Sequence, residues 1–196
     1  MSTAKKAAAV GGGALLLAVA FIKPWEGLWT TAQVDTIGTG RPVTYCYGQT
    51  DEFGKVKAGE KFTPQQCSDL LAKSLPKYAN AIAPCIKVPV SDKEFAAYIS
   101  FSYNVGSAGF CRSSAAARLN AGDHRGACDA LMQWVRAQGR VVKGLVNRRT
   151  AERKLCLEGI GDPVSVPSVK LAEKPKSTPP EPGFWEKLRR LFMKGS

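Results

Sequence analysis

The sequence predicts an α+β domain, mainly α-helical, with a small β-hairpin element near its N-terminus and a helical lobe after it. Three observations carry this prediction. Helix-start signals recur through the middle of the chain, and a Gly- and Thr-rich stretch of β-type residues precedes them. Apolar residues make up 44% of the 196, against 22% charged, which is the balance of a folded body. A chain of this length holds one core with terminal extensions more readily than two domains. No internal repeat is present.

The elements can be taken in order. Lys5 and Lys6 precede an uninterrupted apolar run over 7–22, closed by Lys23 and Pro24, which is the order of charge and hydrophobicity in an export signal. The run is shorter than the roughly 20 residues that span a bilayer, and it is rich in alanine and glycine. Residues 1–24 therefore read either as a signal peptide cleaved after Ala18-Val19-Ala20 or as an uncleaved anchor weak enough to leave the membrane. The uncleaved, releasable anchor is favoured, because cleavage after Ala20 leaves little chain to hold Glu26. A third reading, a buried core helix of small residues, leaves the lysine flank unexplained.

Beyond a short first helix, β-type residues over 34–38 and 43–47 flank the turn Thr39-Gly40-Arg41-Pro42, predicting a hairpin. Thr63-Pro64 is an N-cap followed by a first-position proline and opens a helix over 65–75. Ser91-Asp92-Lys93-Glu94 is a capping box before an apolar helix over 95–105. Further helices are expected over 113–119, 125–135 and 145–157. The folded domain is expected to span 25–161. A linker rich in Pro, Lys and Ser follows over 162–183. Residues 184–196 close the chain, with Phe184, Leu188, Leu191 and Phe192 on one helical face among Lys and Arg. Such a helix suits an anionic membrane.

Cys46, Cys67, Cys85, Cys111, Cys128 and Cys156 are dispersed, with no Cys-x-x-Cys pair to suggest zinc. Behind an export segment they fit up to three disulfides in an oxidising compartment. Six cysteines allow about 15 pairings, and nothing in the spacing chooses among them. The net charge of +12 favours an anionic partner, whether nucleic acid, acidic lipid or cell envelope. Export argues against nucleic acid, for which the chain carries no recognisable binding motif.

Hydrolysis of a glycosidic bond needs one carboxylic acid to protonate the leaving oxygen and a second carboxylate facing the same cleft. Glu26 closes the first helix and Asp35 enters the hairpin, so a helix-to-hairpin reversal can bring them to opposite walls of a groove. Thr44, on the return strand, can offer its hydroxyl to a water. An isolated Glu and Asp in a turn-rich stretch are more often solvated surface charges, so these residue types alone decide little.

The wording around them decides more. Glu26-Gly27, Asp35, Ile37-Gly38 and Thr44-Tyr45-Cys46-Tyr47-Gly48-Gln49-Thr50 resemble the Glu-Gly … Asp … Gly … Thr-x-x-x-Gly-His-Thr signature of phage lysozymes, glycoside hydrolase family 24. Phe101-Ser102-Tyr103-Asn104-Val105-Gly106 is similar to that family's Phe-Asn-x-Gly helix end. Gly144-Leu145-Val146-Asn147-Arg148-Arg149-Thr150-Ala151-Glu152 is similar to its Gly-Leu-x-x-Arg-Arg-x-x-Glu motif. The resemblance runs over about 25–159 and extends to family members with a signal-anchor-release segment.

It implies a lysozyme-like fold and an endolysin that cleaves the β-1,4 bond from N-acetylmuramic acid to N-acetylglucosamine in bacterial peptidoglycan, with no cofactor or metal. Glu26 would be the general acid, Asp35 the second carboxylate and Thr44 the residue that positions water in an inverting displacement. Asn104 would line the sugar cleft, and Arg148 would pair with Glu26 in the free enzyme. A carboxylate paired in this way stays charged until substrate displaces its partner. The 35–44 loop is about three residues longer than the family's usual spacing, and Gln49 replaces a common histidine. The only histidine, His124, reads as a surface residue. The chain is expected to act as a monomer. The main alternative is an exported cationic protein that disrupts membranes without hydrolysing anything.

Overall fold

The computed structural model describes residues 12–34, 42–50 and 54–166. Asp35, most of the expected turn (39–41), Lys5 and Lys6, the linker from residue 167 onward and the C-terminal amphipathic segment lie outside the described residues; the first residues assigned to the linker, 162–166, are described and include a strand.

The chain begins with α1 (Gly12–Glu26). One face, Ala14, Ala18 and Ile22 at i, i+4 and i+8, is fully buried. Those side chains pack α1 against α2 (Pro64–Ile82) and α3 (Asp92–Val105). In the folded state the apolar run is thus a core helix on its inner side. Among the described residues no helix is long and apolar enough to cross a membrane.

A reversal at Gly27 leads into β1 (Trp29–Val34), antiparallel to β2 (Val43–Cys46), with Gln33 opposite Thr44 and Val34 opposite Val43. The expected antiparallel strand pair is present, with residues 35–41 between the strands outside the described residues, but its first strand starts at Trp29, five residues earlier than the residue pattern predicts. The β-branched pair Thr30-Thr31 and inward Ala32 already favour strand there. The chain over 59–62 lines the other edge of β1 through Ala32 N to Glu60 O and Phe62 N to Thr30 O, each 2.8 Å. That second partner extends the strand, and short-range patterning does not reveal it.

Both expected N-caps are made. Thr63 accepts from the Gln66 amide and Ser91 from the Glu94 amide, each closed by the reciprocal side-chain bond of a capping box. α2 outruns its expected end and reaches Ile82. α3 is buried from Glu94 through Ser102, as befits a helix that contacts α1, α2, α7 (Lys143–Gly159) and α4 (Ser107–Cys111). A close approach falls at Gly159, where a Cβ would stand 2.9 Å from the Glu94 amide nitrogen. Only glycine lets the end of α7 lie on the start of α3.

α5 (Ser114–Asn120) and α6 (His124–Ala130) complete the lobe. The single helix expected over 125–135 ends at Ala130 instead. It gives a 3-10 turn, Leu131–Gln133, and then a hairpin of β4 (Arg136–Ala137) and β5 (Arg140–Val141). Gln138 and Gly139, both at positive φ, form its two-residue turn. Past Gly161 the chain forms β6 (Val164–Val166), which pairs with β3 (Val90–Ser91).

His124 is not a free surface residue. The packing of α6 brings its Nδ1 to 2.6 Å from Oε1 of the buried capping residue Glu94.

The cysteines pair as sequence neighbours: Cys46–Cys67, Cys85–Cys111 and Cys128–Cys156. They tie β2 to α2, the end of α2 to α4, and α6 to α7.

Candidate active site

Glu26 is the last residue of α1, so the helix that buries the apolar run also aims this carboxylate. Its side chain is 19% exposed, and its Oε1 accepts from Arg148 Nη1 at 2.5 Å. Arg148 is held on its other sides too. Its Nε meets Glu152 Oε1 at 3.1 Å, one turn along α7, and its Nη2 donates to the Ser100 carbonyl at 3.2 Å on α3.

Glu152 is fully buried, a position a carboxylate tolerates only when neutralised. Its Oε1 accepts from Ser100 Oγ at 2.7 Å and from Arg149 Nη2 at 3.1 Å, and its Oε2 lies 2.9 Å from Arg149 Nε. Burial pushes the Glu152 carboxyl above the usual carboxylate range, against the pull of Arg149. Burial likewise lowers Arg149 to about 10, with Glu152 opposing. Arg149 lies 4.8 Å over the Phe101 ring and sends Nη2 to Asn104 Oδ1 at 3.0 Å. α7 therefore touches the candidate site twice, through Arg148 on Glu26 and through Arg149 on the exposed Asn104.

The β2 turn closes the other side. Gly48, at φ +84°, passes so near that an added Cβ would be 3.8 Å from Glu26 Oε2 and 4.0 Å from Tyr103 Oη. Gln49 is fully buried. Its Oε1 accepts from the Tyr47 amide at 2.8 Å, and its Nε2 donates to Tyr103 Oη at 3.2 Å. Tyr103 in turn donates to the Tyr47 carbonyl at 2.6 Å. Burial, reinforced by Glu26, raises the Tyr103 phenol above its ordinary range, so it remains a donor. The residue that replaces a common histidine is a neutral strut between the turn and α3.

Four of the five sequence-predicted site residues fall within the described residues. Glu26 and Arg148 are in contact. Asn104 joins them through Arg149 and Glu152, and Thr44 sits half-buried on β2 opposite Gln33. Asp35 directly follows Val34 at the end of β1 and lies outside the described residues. Reasoning from the sequence assigns no role to Arg149, Glu152, Tyr103 or Gln49. The i, i+3 and i, i+4 spacing of Arg149 and Arg148 to Glu152 is the available signal for the first two. The contact of Tyr103 with Tyr47, 56 residues away, leaves no local trace.

A glutamate at a helix end, gripped by a buried arginine and facing a small hairpin across a helical lobe, defines a glycosidase of the lysozyme class. The Phage lysozyme family model matches residues 23–152. The SAR-endolysin of Pseudomonas phage phiKMV is 40% identical over 152 residues, covering 75% of this chain and 90% of its own. The SAR-endolysin of Enterobacteria phage P21 is 37% identical over 159 residues, covering 78% and 93%. Among solved structures, a point mutant of P22 lysozyme superposes with a TM-score of 0.63 at 28% identity, covering 71% of this chain and 94% of that one. The muramidase domain of SpmX from Asticaccaulis excentricus gives 0.64 at 28%, with the same coverage. The chain belongs to the phage lysozyme family and is a peptidoglycan-hydrolysing endolysin.

Proposed function

We propose that Glu26 is the general acid of this muramidase, with Asp35 as the second carboxylate and Thr44 holding the water. Glu26 protonates the glycosidic oxygen as the bond to the anomeric carbon of N-acetylmuramic acid breaks. A water fixed by Thr44 attacks the opposite face and gives its proton to Asp35, inverting the anomeric centre. Asn104 and Arg148 line the sugar cleft. The observation that carries this reading is the Glu26 to Arg148 contact. It ties the acid to a buried charge network and leaves its other oxygen, Oε2, beside the open backbone of Gly48. An arriving sugar must displace or weaken that ion pair before Glu26 can hold the proton it donates.

The chain is exported through residues 1–24, tethered at the inner membrane by 7–22 and then released intact to the periplasm as a monomer. Beyond β6 its catalytic domain continues through the remainder of the 162–183 linker to a basic 184–196 segment that contacts membrane. The export signal order and the SAR-endolysin relatives support this reading. Release and folding are then one event, since α1 contributes Ala14, Ala18 and Ile22 to the core and Glu26 to the site.

Direct tests follow from these assignments. Asp35→Asn and Thr44→Ala should each slow wall hydrolysis by about 10²-fold or more, and proton NMR of the first product should show the α-anomer. A β-anomer, or full activity in Asp35→Asn, would refute the assigned roles. Mass analysis of the periplasmic chain should show residues 1–24 retained.

A further inference from the structure

We propose that Glu152 is a positioning residue for the reaction: standing behind Arg148, it offsets the positive charge that reaches Glu26, and so extends to higher pH the range in which Glu26 carries the proton it donates. The inference rests on the reading of Glu26 as the general acid. It adds a second carboxylate that acts on Glu26 without touching substrate.

The arrangement is a chain of charges. Glu26 Oε1 accepts from Arg148 Nη1, and on the far side of the same guanidinium Nε donates to Glu152 Oε1 at 3.1 Å. Arg149 brings a second cation to that oxygen, its Nη2 also at 3.1 Å. Among the described residues Arg149 forms no ion pair except with Glu152, and its Nη1 is buried without a partner. With Glu26 ionised, the four side chains hold two positive and two negative charges in balance. Without Glu152, two buried guanidiniums would act on Glu26 alone. The surroundings hold Glu152 as an anion. Ser100 Oγ donates to its Oε1 at 2.7 Å, and the guanidiniums, which only donate, offer no acceptor for a Glu152 proton. Packing does not call for such a group, because hydrocarbon of similar volume fills a helix interface at less cost than a buried Arg–Glu–Arg cluster.

The sign of the effect follows from charge. A close cation makes a carboxyl release its proton at lower pH, by about one to three units. A general acid must be protonated when the bond breaks, so that release sets the alkaline limb of kcat/KM. The negative charge of Glu152 opposes Arg148 and Arg149 and moves the limb upward. The other groups around Glu26 do not duplicate this role. Tyr103 on α3 stays a neutral phenol, the turn after β2 presents the Gly48 backbone, and Lys23, one turn back on α1, adds positive charge.

The test follows kcat/KM of the full-length enzyme on soluble wall fragments against pH. Glu152→Gln keeps the size of the side chain and an acceptor for Ser100 but loses the charge, so its alkaline limb should fall about one pH unit below that of wild type. Arg149→Met removes a cation instead and should move the limb the opposite way. Carbon-13 NMR of the free enzyme, with the Glu26 carboxyl signal assigned by its loss in Glu26→Gln, should show the same two shifts without substrate. A merely structural role for Glu152 predicts lower activity at every pH with the limb in place. That result in folded Glu152→Gln, or shifts of one sign in both variants, would overturn the proposal. If Glu152→Gln does not fold, Arg149→Met decides, and an unmoved limb overturns it. The underlying reading fails separately. A Glu26→Gln enzyme that clears the wall removes Glu26 as the acid, whereas inactive Glu26→Gln beside an unmoved limb in Glu152→Gln refutes only the role of Glu152.

Discussion

Arg148 Nη1 meets Glu26 Oε1 at 2.5 Å across 122 residues of chain, joining the last residue of α1 to the second turn of α7. The contact makes the N-terminal helix part of both the site and the charge network. Arg148 cannot swing freely, because Glu152 and the Ser100 carbonyl hold its other nitrogens.

Arg148→Ala should therefore do more than disturb the cleft. It leaves Glu152 buried with only Arg149 and Ser100, and removing one partner of such a network costs about 3–5 kcal/mol. Urea unfolding should show this loss. Arg148→Lys keeps the charge but loses the multi-point grip, so it should recover part of the stability and little of the activity.

Arg149 positions Asn104 and does not itself reach Glu26. Arg149→Lys should weaken the hold on the Asn104 carboxamide, raising KM for soluble wall fragments by about tenfold with a smaller change in kcat. Asn104→Ala should produce the same split. If Arg149→Lys lowered kcat alone, the positioning role would be wrong.

Gly48→Ala places a side chain at φ +84° beside Glu26 Oε2. The backbone cost is about 1 kcal/mol, readable as a lower urea midpoint. Its methyl group narrows the approach to Glu26, so hydrolysis should fall further than stability explains.

Much of the helical lobe was legible in the sequence because its signals are local. Thr63 and Ser91 announce their helices by capping chemistry that operates over a single turn, and both caps form. The hairpin was legible in kind but not in register, since β1 owes its start at Trp29 to the distant 59–62 edge. The break at Ala130 and the strand Val164–Val166 depend on tertiary partners and carry no periodic signal. In the candidate site, Glu26, Asn104 and Arg148 carry motif signals in the sequence, whereas Tyr103 and Gln49 act through contacts across chain segments. The disulfide pairing needed the fold, because cysteine spacing alone leaves every combination open.

Burial raises the phenols of Tyr98 and Tyr103 above the ordinary value of 10. Stability from these groups is present in full below that pH. As pH rises past about 10 the unfolded chain sheds phenolic protons that the native state keeps, so stability falls. Ultraviolet titration of native enzyme should show the Tyr98 and Tyr103 phenols silent until unfolding, and Tyr103→Phe should flatten the alkaline decline.

The Cys128–Cys156 bridge closes a 28-residue separation between α6 and the helix carrying Arg148. Cys128→Ala/Cys156→Ala should cost about 3 kcal/mol, lowering Tm by roughly 10 °C, with activity retained below the transition.

The most direct test compares wild type with Glu26→Gln in clearing purified peptidoglycan. Glutamine keeps the size of the side chain and can accept from Arg148 but has no proton to donate. The account predicts that wild type clears the wall while Glu26→Gln, folded by circular dichroism, does not. Equal clearing by both would contradict it and remove Glu26 as the acid.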